Sequence, residues 1–360
     1  MKVVHFAIMS PEGTSIKSGM TESTFDQIKY ERREGLESDF IDAVRPDSTG
    51  LKNGWLEAVD YHQALLADIW VIHSNLPSNL FEYIQKPENR KKHKIVSIMH
   101  GPVENMVLKE WSFLMKQIDE PSFTDTHINA IWQWDACVVL NQHEYDISIL
   151  YDENDKLVYI PNSVDIERYT TDAPKWPYTS HPAIISCDVP RPEKLPVHIL
   201  WAMPKVVERV PTARLNFFGI PLENVEFFKH LITRAKKRNL DLDCMESFQL
   251  KTPTLLPYMN GADIGFNSNF SGICSRVHME MMLQGVPIVS YNGDYTDYHA
   301  KIFDLNSIAE QIERCWKDLN DPKKKLREKT IAYAKKNFSR EIEVKKYVKL
   351  YEKLKEEQNG

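Results

Sequence analysis

The 360-residue sequence predicts an α/β protein with two domains, each built on a parallel sheet that helices cover on both faces. The first observation is that short apolar runs, which are typical of buried strands, alternate with segments of helical periodicity. The second is the length, which suits two domains of ordinary size. The third is residues 170–182, which hold three prolines and no periodicity and are typical of an interdomain linker.

The apolar runs predict where the strands lie, and helical segments fall between them. Among these, helices are expected at residues 21–34, ended by Gly35, and at 55–66, 103–117 and 222–238. Strands are expected at residues 2–9, 38–44, 67–73, 94–99, 135–140, 156–160, 183–187, 214–218, 262–266 and 286–289. We therefore predict a first domain over 1–169, the linker over 170–182 and a second domain over 183–338. A charged amphipathic helix is expected over 339–360. The ligands of parallel sheets lie beyond the carboxyl ends of the strands, so polar residues there are candidates for function.

Composition narrows the class of protein. An apolar fraction of 42% and a charged fraction of 27% are typical of a soluble globular chain. The net charge of −6 gives no support for a general nucleic-acid binder, although it leaves room for a local basic groove. Five cysteines without framework spacing indicate free thiols in a reducing cytosol. No apolar run is long enough to span a membrane, and the first residues enter a strand without a signal peptide, so a cytoplasmic location is expected.

The most informative stretch runs from residue 258 to residue 290. A short apolar run predicts a buried strand at 262–266, a loop of small residues follows, and Arg276 begins a helix that Gly285 ends. The first turn of a helix has unpaired N–H groups and a partial positive charge, and small side chains let a diphosphate approach them. The candidate anion-binding residues are Gly272, Ile273, Cys274, Ser275 and Arg276.

Glu280 lies one turn into this predicted helix. A carboxylate there can accept two hydrogen bonds from the diol of a ribose next to a bound phosphate. It can equally form an ion pair with Arg276, because residues four apart are neighbours on a helix. The sequence leaves both uses of Glu280 open.

Three segments here resemble a known family. They are Ala262-Asp263-Ile264, Met279-Glu280-Met281-Met282 and Gly285-Val286-Pro287-Ile288-Val289, which resemble the nucleotide-sugar-binding half of retaining glycosyltransferases of the family-4 type (glycosyl transferases group 1). The resemblance implies the GT-B fold: two Rossmann-like domains with parallel sheets facing a central cleft, and a final helix that returns to the first domain. It also implies transfer of a sugar from a nucleotide diphosphate sugar to an acceptor hydroxyl with retention of anomeric configuration.

The resemblance also assigns roles to residues. Glu280 matches the second glutamate of the family's Glu-x7-Glu pattern, which holds the ribose, whereas the first glutamate falls on Gly272. That departure removes the family's contact with the transferred sugar. Because this contact is lost, a second interpretation stays open. In it the protein is a non-catalytic relic of the GT-B fold that binds a nucleotide and transfers no sugar.

Three further residues match the family outside this stretch, and a fourth lies close to a family position. His100, followed by Gly101 after the fourth strand, matches a histidine that faces the sugar, although a histidine that caps the strand or the next helix is the plainer alternative. Gly19 lies in the loop that approaches the donor phosphates. Lys194 matches the lysine that clamps the diphosphate, whereas the family's arginine falls on Val189, and Arg191 is the nearest guanidinium that can replace it from a shifted position. Exposed loop charges are the ordinary alternative for these two cations.

The resemblance implies that the donor is a nucleotide diphosphate sugar, with a UDP-sugar expected first, and that no metal or other cofactor is required. The Asp241-Leu242-Asp243 segment is similar to a metal motif of glycosyltransferases with another fold, so we discount it. The acceptor stays open between a glycan, a small molecule and a hydroxymethylated base in DNA, the last as in similar phage enzymes. The helix at 21–34 is mixed in charge, so no stable membrane insertion is expected. A nucleotide-sugar epimerase is a further alternative, because it shares the two-domain fold.

Overall fold

The structure is a computed structural model. It describes residues 1–7, 19–43, 52–53, 56–57, 59–73, 78–100, 133–152, 154–169, 174–188, 194, 196–218, 230, 233–234, 252–269, 273–291 and 293–359.

The chain divides into two compact units. The first unit consists of Met1–Asp165 together with Phe338–Gly360, and the second of Ile166–Asn337. The terminal helix, Arg340–Asn359, therefore belongs to the first unit. The proline-containing stretch belongs to the second, where the Trp176 N–H donates a hydrogen bond of 2.8 Å to the Pro257 carbonyl.

The described part of the first unit contains a six-stranded parallel sheet in the order β2-β1-β5-β6-β7-β8 and a short antiparallel hairpin, β3-β4. The strands are Lys2–Ala7 (β1), Glu37–Asp42 (β2), Lys52–Asn53 (β3), Leu56–Glu57 (β4), Ile69–Ile72 (β5), Lys94–Met99 (β6), Ala136–Val139 (β7) and Leu157–Tyr159 (β8). The helices before the second unit are Gly19–Arg33 (α1), Tyr61–Ala64 (α2), Ser78–Ile84 (α3), Pro87–Arg90 (α4) and Gln142–Ser148 (α5).

Alternate residues of these strands pack on opposite faces of the sheet, as the period of a strand requires. Val3 and Val71 lie in a core that the terminal helix covers with Tyr347 and Tyr351. Their neighbours along the chain face the opposite core, which includes Val4, Phe6, Trp70, Leu80 and Ile84. Because both faces are buried, the strands read as continuous apolar runs in the sequence.

One helix prediction was wrong in its extent. Residues 55–66 have helical spacing, but Leu56–Glu57 form β4 and the described helix covers only Tyr61–Ala64. The hairpin pairs Asn53 with Leu56, so local backbone pairing has replaced the first turns of the expected helix. The helices expected at 103–117 and 222–238 lie mostly or wholly outside the described residues.

The second unit is built on a parallel sheet whose described strands have the order β10-β9-β11-β12. The strands are Ala183–Ser186 (β9), Arg214–Phe217 (β10), Ile264–Asn267 (β11) and Ile288–Ser290 (β12). The helices are Val197–Arg209 (α6), Thr252–Gly261 (α7), Arg276–Leu283 (α8), Leu305–Asn320 (α9) and Leu326–Asn337 (α10). Helices α6 and α9 pack against this sheet through Ile199, Met203, Ile308 and Ile312, which are fully buried.

Two glycines end helices where the sequence predicts it. Gly35 follows α1 with φ of +86°, and Gly285 follows α8 with φ of +80°. Backbone of this kind strains residues that carry a Cβ. Gly285 lets the chain turn directly from the end of α8 into β12. None of the helices in the described ranges is both long and apolar enough to cross a membrane.

Candidate functional site

The strand ends of the second unit are organised around Asp188, which follows β9 and is buried. One of its oxygens, Oδ2, accepts hydrogen bonds of 2.8 Å from both the N–H and the hydroxyl of Ser268, the first residue after β11. The other oxygen, Oδ1, lies 3.2 Å from Nζ of Lys194. Lys194 itself pairs with Asn269 in an isolated antiparallel bridge. Asp188 thus connects the ends of two neighbouring strands and holds Lys194 beside them.

Asp188 is ionised at neutral pH. Burial opposes its charge, but Lys194, His278 and the two hydrogen bonds from Ser268 outweigh burial and lower the pKa of Asp188 from 3.8 to about 2. The predicted diphosphate clamp is therefore not an isolated cation, since Lys194 already has a carboxylate beside it. An arriving anion must compete with Asp188 for Lys194 or share it.

Helix α8 begins at the same edge of the sheet. Ser275 is its N-cap in extended conformation and its hydroxyl lies 2.7 Å from Nδ1 of His278. His278 is fully buried, and its Nε2 lies 3.3 Å from the Phe266 carbonyl, which can only accept. The proton of neutral His278 is therefore on Nε2, and Ser275 donates to Nδ1. This arrangement ties the first turn of α8 to strand β11.

Glu280 lies one turn into α8 and is only 4% exposed. Its Oε1 accepts a hydrogen bond of 2.9 Å from Nε of Arg276, so the ion pair at the i,i+4 spacing is present. Burial and the neighbouring Glu280 carboxylate raise the pKa of Tyr169, also of the second unit, above its usual 10. The ion pair with Arg276 fixes the orientation of the Glu280 side chain. A hydrogen bond from Glu280 to a ribose stays a prediction.

The loop before α8 is held from strand β11. The side chain of Asn267 donates a hydrogen bond of 2.8 Å to the Ile273 carbonyl. Cys274 is a free, partly buried thiol, whose pKa burial raises well above its usual value. The predicted residues Gly272 and Arg191 lie outside the described residues. Ile273, Cys274, Ser275 and Arg276 are consecutive, as predicted, and lead into α8.

The strand ends of the first unit carry a chain of titratable side chains, all buried except the partly exposed His100. Nε2 of His5, in β1, lies 2.8 Å from Oε2 of Glu31, in α1. Nδ1 of His5 lies 2.8 Å from Nε2 of His73, which follows β5. Nδ1 of His73 lies 2.9 Å from Nε2 of His100, which follows β6. We call these four residues the histidine chain.

The histidine chain determines the environment of His100. Burial and the positive charge of Arg340 lower the pKa of His100 from 6.5 to about 4. Burial, then His5, His100 and Arg340, lowers the pKa of His73 well below 6.5. Both imidazoles are therefore neutral at pH 7. Gly19, the remaining predicted residue, is the first residue of α1, the helix that also carries Glu31.

Sequence reasoning missed Asp188, His278 and Tyr169 in the second unit and His5, His73 and Glu31 in the first. For some of them a signal was present. Asp188 and His73 are polar residues that directly follow apolar runs, as His100 does. His278 stands three residues after Ser275, which is one helical turn. The link between His5 and Glu31 joins residues 26 positions apart and has no local signal.

Chemically, the two units offer different groups. The second unit presents a lysine, a helix N-terminus and a carboxylate one turn further on, which suit a phosphate and a neighbouring diol. The first unit presents a neutral imidazole at a strand end. The two parallel sheets with their covering helices define an α/β chain with the GT-B fold, which confirms the predicted fold class.

Comparisons with known proteins place this chain among glycosyltransferase structures by fold. It is similar to a glycosyltransferase from Rickettsia africae ESF-5, with TM-score 0.70, 14% identity and coverage of 98% of each chain. It is similar to Anabaena Alr3699/HepE in complex with UDP and glucose, with TM-score 0.68, 13% identity and coverage of 98% of this chain and 100% of that one. No protein-family model matches the sequence, and no curated protein matches it.

The chain is also similar to a third solved structure. It is an α-glucosyltransferase in complex with UDP and a 13-mer DNA containing an HMU base. The TM-score is 0.67 at 14% identity, with 98% of this chain and 99% of that chain covered. At these identities the likeness establishes the fold.

Proposed function

We propose that this protein is a glycosyltransferase that moves a sugar from a nucleotide diphosphate sugar to an acceptor hydroxyl with retention of anomeric configuration. The donor that we expect is a UDP-sugar. The observation that carries the proposal is the buried Glu280, held one turn into α8 directly after the loop that follows β11. Solved structures with the same fold contain UDP or UDP-glucose.

Each residue of the second unit has a role in this proposal. Glu280 accepts hydrogen bonds from the ribose diol. The N–H groups at the start of α8 and the ammonium of Lys194 receive the diphosphate and stabilise its charge as the bond to the sugar breaks. Arg191 and the backbone of Gly272, Ile273 and Cys274 complete this set, and no metal is required. Such a site orients the donor and supports the leaving group without supplying a nucleophile.

The first unit contributes His100, proposed to face a hydroxyl of the substrate, and Gly19, at the start of α1. A neutral imidazole can accept a hydrogen bond through one nitrogen and donate through the other. The proposed location is the cytoplasm.

The proposal is tested by thermal melting against UDP, GDP, ADP, TDP and CMP. A ligand that binds only the folded protein stabilises it by about 2.7 kcal/mol at roughly a hundredfold excess over its dissociation constant. We expect a clear shift with UDP that Glu280→Gln and Lys194→Ala each abolish. Lys301→Ala is the matched control, because Lys301 is exposed in the same unit. The absence of a shift with every nucleotide would contradict the donor site.

Transfer itself is measured with UDP-sugars and a set of acceptors, and anomeric analysis of the product tests retention. Conversion of the nucleotide sugar without any acceptor would identify an epimerase instead. Binding of UDP with neither hydrolysis nor transfer would identify a non-catalytic relic, which the glycine at position 272 makes a real alternative.

A hydroxymethylated base in DNA is the second candidate acceptor. The likeness to the α-glucosyltransferase solved with DNA favours it. The net charge of −6 opposes it mildly, because DNA binding requires neutralisation of phosphates. Labelled sugar incorporated into hydroxymethylated DNA, and absent from unmodified DNA of the same sequence, would establish this acceptor.

A further inference from the structure

The buried carboxylate of Asp188 lies between two groups that can carry a positive charge. Its Oδ1 is 3.2 Å from Nζ of Lys194, and its Oδ2 is 3.8 Å from Nε2 of His278. Neither Asp188 nor His278 has any exposed side-chain surface, whereas Lys194 is partly exposed. A buried carboxylate is stable only beside a positive partner, and here two groups can serve as that partner.

In the protein without a ligand, Lys194 is the partner of Asp188 and His278 is neutral at pH 7. Burial, the largest effect, and the charge of Lys194 lower the pKa of His278 below 6.5. Asp188 and the hydrogen bond to the Phe266 carbonyl act in the opposite direction without reversing the result. The protonation of His278 is therefore linked to the position of the Lys194 ammonium.

The direction of the Ser275 hydroxyl follows the charge of His278. Neutral His278 keeps its proton on Nε2, towards the Phe266 carbonyl, so the Ser275 O–H donates to Nδ1 over 2.7 Å. The Ser275 side chain makes no capping hydrogen bond to α8, and its one proton is in use. On an imidazolium Nδ1 carries a proton as well. His278 then donates to Oγ of Ser275, and the hydroxyl proton can turn to a ligand.

A diphosphate at the start of α8 changes this balance. Its negative charge attracts the Lys194 ammonium, which then serves two anions instead of one. His278 is three residues from Ser275, one turn into the same helix, so the phosphate charge also acts on the imidazole. Lys194 then opposes a charge on His278 less, and the phosphate supports it. Both effects favour the imidazolium.

We propose that His278 is a positioning residue that takes up one proton from solvent when the diphosphate of a nucleotide sugar binds at the start of α8. The imidazolium then compensates the charge of Asp188 while Lys194 binds the diphosphate, and it turns the Ser275 O–H towards a phosphate oxygen. The inference rests on the proposed function, because it needs the diphosphate at this helix. It adds to that function the coupling of donor binding to one proton.

The other titratable groups around Asp188 keep their protonation states over about pH 6 to pH 8. Asp188 itself is ionised, because its pKa is lowered to about 2. On the same helix as His278, Arg276 and Glu280 pair with each other. Burial raises the pKa of the thiols and phenols that interact with Asp188, which therefore stay neutral: Cys187, Cys274, Tyr291 and Tyr295. A proton taken up at this site in that range is assigned to His278.

Isothermal titration calorimetry with UDP-glucose tests the inference. The two phosphates of UDP-glucose do not titrate near neutral pH, whereas the terminal phosphate of UDP does. Titrations in buffers with different enthalpies of ionisation give the number of protons taken up per bound ligand. We expect net uptake of up to one proton and an affinity about tenfold higher at pH 6 than at pH 8, because each unit by which binding raises a pKa corresponds to a factor of about ten.

The outcomes separate this inference from the proposed function. Binding of UDP-glucose without proton uptake, and with the same affinity at both pH values, would overturn the inference and leave the donor site intact. The absence of binding at every pH would contradict the proposed function, and the inference with it.

The variant His278→Asn keeps a polar side chain beside Ser275 that does not titrate in this range. We expect it to bind UDP-glucose without proton uptake and with an affinity independent of pH. His299→Asn is the matched control, because His299 is an exposed histidine of the same unit, and it should keep the wild-type uptake. Proton uptake that persists in folded His278→Asn would contradict the assignment to His278.

Should His278→Asn fail to fold, Ser275→Ala tests the same coupling at a partly exposed position. The hydroxyl donates to the ligand only when His278 is charged. We therefore expect the affinity for UDP-glucose to fall about tenfold at pH 6, as for the loss of a hydrogen bond to a charged group, and to change little at pH 8. An equal loss at both pH values, or no loss at pH 6, would contradict the role of Ser275.

Discussion

At the scale of single residues, Asp188 shows how a buried charge is held at a strand end. A carboxylate with no exposed side-chain surface is stable only with partners, and Ser268 and Lys194 supply them. The hydrogen bonds and the ion pair together give this residue a pH-dependent share of the stability of the second unit.

We predict that Asp188→Asn lowers the free energy of unfolding by about 2 kcal/mol at pH 7, since each pH unit of pKa change corresponds to about 1.4 kcal/mol. The folded pKa is lowered from 3.8 to about 2. The contribution is therefore complete above pH 3.8 and is lost as the pH falls through about 2. Urea denaturation at a series of pH values measures the difference between variant and wild type.

The control for this prediction is Asp294→Asn, at an exposed position of the same unit. It is expected to leave stability unchanged at every pH. A difference for Asp188→Asn that stays constant between pH 7 and pH 2 would show that the carboxylate charge is not its cause.

At the scale of elements, Gly285 determines how α8 meets β12. Its φ of +80° is unfavourable for residues with a Cβ, and a Cβ there would lie 3.2 Å from Cδ1 of Ile331 and 3.3 Å from Cβ of Arg327. Gly35 has a similar φ of +86° but no atom within 4 Å of the position of a Cβ. A comparison of substitutions at the two glycines therefore separates the free-energy cost of backbone strain from that of steric crowding.

We predict that Gly35→Ala costs about 1 kcal/mol of stability from backbone strain alone. Gly285→Ala is expected to cost about 1–3 kcal/mol more, because α10 must also move. Thermal and urea denaturation of both variants measure the two terms. Equal losses of unfolding free energy in the two variants would show that α10 moves aside at no cost in stability.

At the scale of the whole molecule, the chain leaves the first unit after Asp165 and returns to it at Phe338. Two backbone hydrogen bonds fasten the return, from Val164 N–H to the Phe338 carbonyl and from Arg340 N–H to the Val164 carbonyl. Arg340 is 0% exposed; it pairs with Glu343 and donates to the hydroxyl of Ser23 at 2.9 Å. The terminal helix is thus attached to the first unit by buried hydrogen bonds from Arg340 to Ser23 and to the Ser163 carbonyl, as well as by apolar packing.

We predict that Arg340→Met destabilises the protein by about 3–5 kcal/mol, because it removes the positive charge beside the buried Glu343 carboxylate. Arg340→Met combined with Glu343→Leu should recover much of the loss. The control is Lys345→Met, which removes an exposed ion pair with Glu341 on the same helix and should change stability by less than about 1 kcal/mol. Urea denaturation compares the four proteins, and a loss for Arg340→Met no larger than that of the control would contradict the prediction.

The sequence by itself determined the fold class and most of the described strands, because both sheets are buried on both faces and each strand is a local apolar run. It also determined where α1 and α8 end, because the backbone with positive φ that follows each helix favours glycine, and a glycine can be recognised in the local sequence. The helix expected from residue 55 was wrong at Leu56–Glu57, where pairing with Asn53 prevailed over periodicity. His100, Lys194 and Glu280 were chosen from strand ends and family likeness, and their roles stay predictions.

Only the tertiary structure decided what these residues contact. Lys194 was expected as a free clamp and lies against Asp188, and His100 was expected alone and ends a chain that reaches Glu31. Parallel strands that are neighbours in a sheet are distant in sequence, as His5 and His73 are. Their side chains meet only when the sheet order β1-β5-β6 forms, so no local pattern of residues can encode the contact.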